Sequence, residues 1–230
     1  MPEEFTFKTI AHVHSLFSDK FGIPRQSGLA ELPAKIVFEP EYRVKEAVRG
    51  LEDYSHIWIL WQFSKAVRED WSPTVRPPRL GGNTRVGVFS TRSPFRPNPI
   101  GLSSVKLDRI DLETPDGPVL YISGADILDG TPVYDIKPYL AYTDAHPDAV
   151  GGFSQKKTGT LEVHIPDDII SVVPENLREG LVQLLSQDPR PAYQNDPERV
   201  YKMDIAGFNI SFSVQDNSLV VSKINETDRN

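Results

Sequence analysis

The chain has 230 residues, a formal net charge of −7, 39% hydrophobic and 10% aromatic residues, and no cysteine. This composition excludes a wholly disordered chain, and the lack of cysteine excludes disulfides, thiolate metal sites and iron–sulfur clusters. Met1–Phe5 is acidic without an apolar core, and the longest apolar run, Ile57–Trp61, is far shorter than the ~20 residues of a membrane helix. We therefore expect a cytoplasmic protein with no membrane segment.

Short strands dominate the predicted structure before about residue 165. Segments rich in β-branched and aromatic residues follow one another closely, with few helical patterns between them. His56–Phe63 is nearly all apolar, which predicts a strand buried on both faces, and we expect Arg85–Phe89 to be its neighbour. This pattern favours a β-barrel or a strongly bent sheet. The predicted strands are residues 5–15, 34–38, 56–63, 103–110, 119–125 and 159–164, with a short helical segment at 44–48.

The pattern changes after about Pro166. Residues 175–187 place four leucines on one face at helical spacing, which predicts an amphipathic helix. The sequence therefore predicts a mainly β protein, with a β-barrel domain over residues 1–160 and a small α+β domain over residues 161–230. The leucines are Leu177, Leu181, Leu184 and Leu185, and the strand patterns that follow them are residues 201–205, 208–214 and 219–224.

The segment Trp71–Leu107 has an unusual charge. It contains no Asp or Glu and carries +6, which leaves −13 on the rest of the chain. Arginine dominates, and its planar guanidinium group suits carboxylates, phosphates and nucleic acid. Ion pairing with acidic residues elsewhere in the chain is the alternative. The basic residues are Arg76, Arg79, Arg85, Arg92, Arg96 and Lys106.

Ser93–Gly101, within this basic segment, is predicted to be a stiff loop. It contains three prolines, and each fixes its own φ and favours extended geometry in the residue before it. A stiff loop with fixed arginines loses little conformational entropy when it binds an anion. Bracing of the loop for stability alone is the alternative.

A second charged cluster lies in Asp126–Tyr139, which contains three aspartates and one lysine. Carboxylates can hold an ammonium or sulfonium group, ligate a metal or act as a base. The alternative is turn formation, for which Asp-Gly and Thr-Pro are ordinary sequences. No dinucleotide-binding glycine motif and no P-loop is present, and the five histidines show no metal-ligand spacing, so we expect no metal site.

Together these stretches resemble the TsaA/TrmO-type tRNA methyltransferases. Arg85–Leu102 is similar to the central motif of that family, and Asp126–Tyr139, Pro24–Gln26 and Asp188–Tyr193 are similar to three others. The resemblance implies a non-Rossmann β-barrel methyltransferase domain, a small C-terminal domain, a homodimer and S-adenosyl-L-methionine as the cofactor. It also implies N6-methylation of threonylcarbamoyl-adenosine beside the anticodon of tRNA.

The resemblance also implies roles for individual residues. Ser64 and Lys65 align with a contact pair that is His-Gln in some members. The acceptor nitrogen is of the urea type with a delocalised lone pair, so a positioned base should help. The catalytic candidates are Asp129 or Asp135, as the base or as the group that orients it, and Asn98. The implied cofactor contacts are Pro24, Arg25, Gln26, Ser64, Lys65, Arg92, Leu102, Asp126, Ile127, Leu128 and Asp129.

Substrate binding needs further cations, because the net charge of −7 opposes RNA at long range. We expect a local basic patch, which a dimer could assemble. The candidate substrate-binding residues are Arg96 or Lys137 for the threonyl carboxylate, Arg76, Arg79, Arg85 and Arg190 for phosphates, and Tyr139 or Tyr193 to stack a base.

Three alternatives to this function stay open. They are a non-catalytic RNA-binding module, a methyltransferase for another nucleotide-like acceptor, and a metal-dependent hydrolase.

Overall fold

The computed structural model describes residues 4–65, 70–155, 159–190 and 196–227. Within these ranges the strands are β1 (Ala11–His14), β2 (Pro33–Phe38), β3 (His56–Gln62), β4 (Thr74–Val75), β5 (Val86–Gly87), β6 (Ile100–Thr114), β7 (Gly117–Ser123), β8 (Thr131–Pro138), β9 (Glu162–His164), β10 (Tyr201–Ile205), β11 (Phe208–Gln215) and β12 (Ser218–Glu226). The α-helices are α1 (Ala141–Asp144), α2 (Asp167–Ile170) and α3 (Glu175–Ser186). Short 3-10 helices cover Pro40–Tyr42, Lys45–Val48, Leu51–Asp53, Pro78–Leu80, Val88–Ser90 and Gly152–Ser154.

Six strands close into an antiparallel barrel in the order β1-β2-β7-β6-β3-β8. The barrel closes because β1 pairs with both β2 and β8, and closure removes the unpaired edges of an open sheet. Alternate side chains point inward, so Ile36, Ile59 and Leu120 are fully buried in its core. The predicted β-barrel and mainly β fold are therefore confirmed.

Two predictions about the central strand are wrong. β3 pairs with β6 and β8 rather than with residues 85–89, and Val86–Gly87 pairs instead with β4 in a two-stranded ribbon. β3 is also fully buried on one face only, because Trp58 and Leu60 point outward from the barrel and stay partly exposed. The outward-facing Trp58 still makes contacts: its ring packs against that of Tyr139 with centroids 5.5 Å apart, and its indole N–H donates a hydrogen bond to Asp144.

The C-terminal part forms a second sheet in the order β10-β11-β12-β9, with β9 parallel to β12. The predicted amphipathic helix is α3, whose buried Leu181, Leu184 and Leu185 pack against this sheet. The same core includes Phe17 and Leu32 from the loop between β1 and β2. The C-terminal sheet therefore packs on a segment of the N-terminal part, and the division of the chain at residue 160 stays a prediction.

Across the ranges that the structure describes, no helix combines the length and apolarity that crossing a membrane would require.

A residue without a side chain is required at position 101, where β6 pairs with β3. Gly101 pairs with Trp61, and a Cβ at Gly101 would overlap the indole ring. Trp61 is itself buried and hydrogen-bonded to Ser103, so the ring cannot move aside freely. Gly101→Ala should therefore lower the free energy of unfolding by about 1–3 kcal/mol, measured by urea denaturation.

Gly159→Ala is the matched control, because a Cβ there meets nothing within 4 Å and the glycine does not need a left-handed φ. Its free energy of unfolding should stay within about 0.5 kcal/mol of the wild-type value. Equal denaturation midpoints for Gly101→Ala and the wild type would show that the barrel tolerates the extra methyl group.

Candidate active site

A cavity of about 760 Å³ lies where β3 ends and β6 begins, at one end of the barrel. Four loops and the start of β8 complete its lining: residues 20–26 after β1, residues 63–65 after β3, residues 91–98 before β6, residues 126–128 after β7, and Thr131. Its size is within the range of small-molecule and cofactor sites. The cavity thus brings together segments that are about 100 residues apart in the sequence.

Aromatic and aliphatic side chains form part of the cavity wall. The rings of Trp61 and Phe63 are tilted against each other with centroids 4.4 Å apart. Phe95, Ile100 and Leu102 add further apolar surface, and Leu102 is exposed to the cavity although it is aliphatic. Such a wall suits a planar base and a thioether chain.

Asp126 supplies a negative charge inside the cavity. It accepts a hydrogen bond of 2.6 Å from the Ser103 hydroxyl, which in turn accepts one of 3.0 Å from the Trp61 indole N–H. Burial raises the pKa of the Asp126 carboxyl, and the Ser103 hydrogen bond and the positive charge of Arg92 oppose that rise. A cation bound beside Asp126 would therefore favour its ionised form.

Positive charges line the same cavity. Arg92 donates a hydrogen bond to the side-chain oxygen of Gln26, and Arg96 donates to the carbonyls of Thr91 at 3.2 Å and Ser93 at 3.4 Å. The stiff loop thus holds the Arg96 guanidinium with its own backbone, as the prolines predict.

The acid-free segment makes few internal ion pairs. Among its basic side chains that the structure describes, Lys106 pairs with Asp108 at 3.6 Å, and none of the arginines forms such a pair. The described arginines of this segment are therefore not held in ion pairs with any of the carboxylates that the structure describes. Arg92 acts on the Asp126 carboxyl, and the charge of the others is available for an anionic ligand.

The predicted cofactor contacts converge on this cavity, with two exceptions. Ile127 is fully buried in the barrel core, and Asp129 lies outside the cavity lining. Arg92 and Asp126 line the same cavity, although 33 residues lie between them in the sequence. The predicted residues on the cavity are Pro24, Arg25, Gln26, Ser64, Lys65, Arg92, Leu102, Asp126 and Leu128, together with Asn98 and Arg96.

The three aspartates of the segment Asp126–Tyr139 lie in different surroundings. Asp129 accepts a hydrogen bond from the Ser15 N–H at 3.1 Å and lies 3.5 Å from a ring nitrogen of His14. Asp135 pairs with Lys137 at 2.7 Å on β8, away from the cavity lining. Of the three aspartates that the sequence groups together, Asp126 alone lines the cavity. Asp129 lies in the turn that ends the loop after β7, and Asp135 lies beyond that turn on β8.

The residues predicted to bind RNA fall in different surroundings. Arg76 and Arg85 are exposed, and Arg85 donates to the Thr74 hydroxyl at 2.8 Å. Tyr139 packs against Trp58 and does not line the cavity. The Arg190 side chain is only 10% exposed and is paired with Asp188 at 2.8 Å, which leaves little of it for phosphate. The Arg79 side chain and Tyr193 lie outside what the structure describes.

Sequence reasoning missed Trp61, Phe63 and Ser103. Ser103 has a recognisable signal, because it occupies an inward position of β6 between the buried Gly101 and Val105. A polar side chain at such a position must have a hydrogen-bond partner, and here the partner is the cavity carboxylate.

Within the described ranges, no group of three or more His, Asp or Glu side chains is placed to hold a metal ion.

The closed barrel with a charged and aromatic cavity at one end defines a class of β-barrel ligand-binding proteins distinct from doubly wound nucleotide-binding folds. The chain belongs to the tRNA-methyltransferase O family. Residues 12–145 match the tRNA-methyltransferase O N-terminal domain, and residues 161–227 match the TrmO C-terminal domain. The family resemblance drawn from the motifs is therefore confirmed.

Similar proteins cover most of the chain. A tRNA (adenine(37)-N6)-methyltransferase of Eikenella corrodens is 49% identical over 173 residues, 74% of this chain and 97% of that protein. A protein of the same name from Escherichia coli K12 is 39% identical over 231 residues, 92% of this chain and 94% of that protein. A crystal structure of TrmO from Pseudomonas aeruginosa has a TM-score of 0.78 and 29% identity, with 97% of this chain and 99% of that one covered.

Burial of Asp126 gives stability a specific pH dependence. Its raised pKa means that the folded state holds the proton at pH values where the unfolded chain has lost it. The free energy of unfolding of the wild type, compared with that of Asp126→Asn, should therefore be highest in acid. This difference should fall as the pH rises through the raised pKa of Asp126. Urea denaturation at a series of pH values measures the difference.

Asp148→Asn is the control for removal of one negative charge, since Asp148 is exposed. A difference between the wild type and Asp126→Asn that stays constant with pH, or that grows in favour of the wild type as pH rises, would contradict the assignment.

Proposed function

We propose that this protein transfers a methyl group from S-adenosyl-L-methionine to N6 of threonylcarbamoyl-adenosine at position 37 of tRNA. One observation carries the proposal: Arg92 and Asp126 present opposite charges to one cavity with an aromatic wall. The names of the relatives support both parts, since several are tRNA (adenine(37)-N6)-methyltransferases and one from Pseudomonas aeruginosa is described as a putative S-adenosylmethionine-dependent methyltransferase.

The residues of the cavity fit this cofactor. Its amino-acid end is a zwitterion, for which Arg92 would hold the carboxylate and Asp126 the ammonium group. The raised pKa of Asp126 supports this assignment, because its environment lacks a cation strong enough to offset burial. Trp61 and Phe63 offer ring faces for the adenine or the thioether chain. When bound, the cofactor supplies an electrophilic methyl group on a sulfonium.

The acceptor carries a carboxylate of its own on the threonyl group. We assign it to Arg96, which lines the cavity and is positioned by two backbone carbonyls. Lys137 is the weaker candidate, because Asp135 neutralises it outside the cavity lining. A fixed guanidinium suits a planar carboxylate, and it would favour the modified adenosine over the unmodified one.

Asn98 is the catalytic candidate that lies on the cavity. Its amide can donate to the urea carbonyl and accept from the urea N–H, which would orient the attacking nitrogen. Holding this nitrogen against the methyl group would supply much of the rate, because proximity and orientation account for a large share of such accelerations. The Asn98 amide cannot take up the proton that N6 loses, so this proton would leave to solvent unless Asp129 or Asp135 reached it through a conformational change or from a second subunit.

The protein is also proposed to act as a homodimer, as its family resemblance implies, and to be cytoplasmic. A dimer would add basic surface for RNA to a chain with a net charge of −7.

Methylation of tRNA containing threonylcarbamoyl-adenosine, followed by mass spectrometry of the nucleosides, tests the proposal directly. Arg92→Ala should weaken S-adenosylmethionine binding about 10- to 100-fold, since a charge-assisted hydrogen bond contributes about 1.5–3 kcal/mol. Isothermal titration measures it. Asp126→Asn should weaken binding similarly, and wild-type affinity should fall as the solution is acidified, because acid protonates Asp126.

Arg49→Ala is the matched control, because Arg49 is an exposed arginine that does not line the cavity and that pairs with Glu46 at 3.7 Å. Cofactor affinity equal to that of the wild type in both Arg92→Ala and Asp126→Asn would refute the assignment. A wild-type protein that binds the cofactor but methylates no tRNA would refute the proposed acceptor.

Single-turnover methylation at saturating cofactor separates the catalytic candidates. Asn98→Ala should slow the chemical step about 10- to 100-fold, within the range of effects of lost orientation. If Asp129 or Asp135 supplies the base, Asp129→Asn or Asp135→Asn should slow it about 10²- to 10⁴-fold. Unchanged rates in both aspartate variants would eliminate them as the base, and an unchanged rate in Asn98→Ala would eliminate Asn98.

A further inference from the structure

Trp71 and Phe89 form an exposed pair of stacked aromatic rings beside the β4–β5 ribbon. Their centroids are 6.1 Å apart with an angle of 25° between the planes, and the two residues are 48% and 72% exposed. Two adjacent large rings left in water in a folded chain are more informative than scattered apolar residues, because such patches often mark binding sites. The proposed chemistry inside the cavity does not use either ring.

Backbone hydrogen bonds hold this pair in place. The Val88 N–H donates to the Pro73 carbonyl at 3.0 Å, which joins the segment before β4 to the segment after β5. Val88 is buried, so it anchors the chain while the next side chain, Phe89, points into solvent. The two rings are therefore presented by a fixed backbone, and stacking a ligand on them would cost little ordering entropy.

The aromatic pair borders the rim of the cavity. Phe89 lies two residues before Thr91, which lines the cavity, and the Ser72 N–H beside Trp71 donates to the carbonyl of Phe95, another lining residue, at 3.4 Å. A molecule that enters the cavity with one group would thus have its neighbouring groups close to these rings.

Two arginines lie near the pair in the sequence, and one exposed acidic residue, Asp70, directly precedes Trp71. Arg76 and Arg85 belong to the same stretch of chain and are exposed, and Trp71–Leu107 contains no acidic residue. Aromatic faces interleaved with arginines are the combination that binds single-stranded nucleic acid, in which bases stack and phosphates are neutralised. A second copy of the chain fits less well, because a two-fold interface here would place two basic segments against each other.

We propose that Trp71 and Phe89 form a stacking platform for an unpaired nucleobase adjacent to the target adenosine, with Arg76 and Arg85 contacting the flanking phosphates. This inference rests on the proposed function and names the RNA-binding surface of the same site. Turning the target base into the cavity breaks its stacking with its neighbours, and the platform replaces part of that lost stacking on the protein side.

The experiment measures RNA binding directly, by fluorescence anisotropy of a labelled anticodon stem-loop. Trp71→Ala and Phe89→Ala should each weaken binding about 5- to 150-fold, the range seen for loss of one stacked base. Trp71→Phe keeps an aromatic face and should stay within a few-fold of the wild type. Tyr142→Ala, at an 86% exposed aromatic residue outside the cavity lining, is the matched control and should leave affinity unchanged.

Two further measurements show whether a loss of RNA affinity comes from the aromatic pair itself or from a disturbed barrel. Cofactor affinity should be the same in the wild type and in all four variants, which shows that the barrel is intact. RNA should also quench tryptophan fluorescence less in Trp71→Phe than in the wild type, because Trp71 is the exposed tryptophan among the three of the chain.

Wild-type RNA affinity in Trp71→Ala and Phe89→Ala would overturn the platform. A change in oligomeric state of these variants, measured by sedimentation, with RNA affinity unchanged would overturn it in favour of a contact between copies of the chain. Failure of the wild type to methylate RNA would count against the proposed function instead, because the binding titration does not depend on turnover.

Discussion

The chain of hydrogen bonds from Trp61 through Ser103 to Asp126 connects the barrel core to the charge in the cavity. Its geometry depends on the pairing of β3 with β6, because Trp61 comes from β3 while Ser103 comes from β6. It also depends on Gly101, whose missing side chain leaves room for the indole. The position of a functional carboxylate is thus fixed by a packing constraint within the barrel.

Charge is distributed so that opposite signs meet where a zwitterion would bind. The chain is acidic as a whole, yet the loop facing Asp126 carries only basic charges, and its prolines limit how far they can move. Since Arg96 is held by carbonyls of its own loop and Arg92 by Gln26, these guanidinium groups are oriented before a ligand arrives. Electrostatic preorganisation of this kind reduces the reorganisation that binding and transfer require.

Local patterns in the sequence were sufficient for most strands, for α3 and for the residues of the cavity that belong to dense motifs. Local patterns were not sufficient for features that depend on residues far apart in the sequence. Nothing within β3 indicates that its partners are β6 and β8, and Thr131–Pro138, which forms β8, is absent from the predicted strands. Proximity in sequence also grouped Asp126 with Asp129, but backbone direction after a turn decides which side chain reaches the cavity. Exposed aromatic pairs such as Trp71 and Phe89 are invisible to periodicity, because they depend on a two-stranded ribbon bringing distant residues together.

The loop between β1 and β2 serves two parts of the molecule. Pro24 and Gln26 line the cavity, while Phe17 and Leu32, at either end of the same loop, are buried in the core of the C-terminal sheet, and Gly180 of α3 lies so close to Leu32 that a side chain there would collide with it. The two sheets therefore share one packing constraint: a C-terminal segment grafted onto this chain would have to fit the loop between β1 and β2 as well as its own strands.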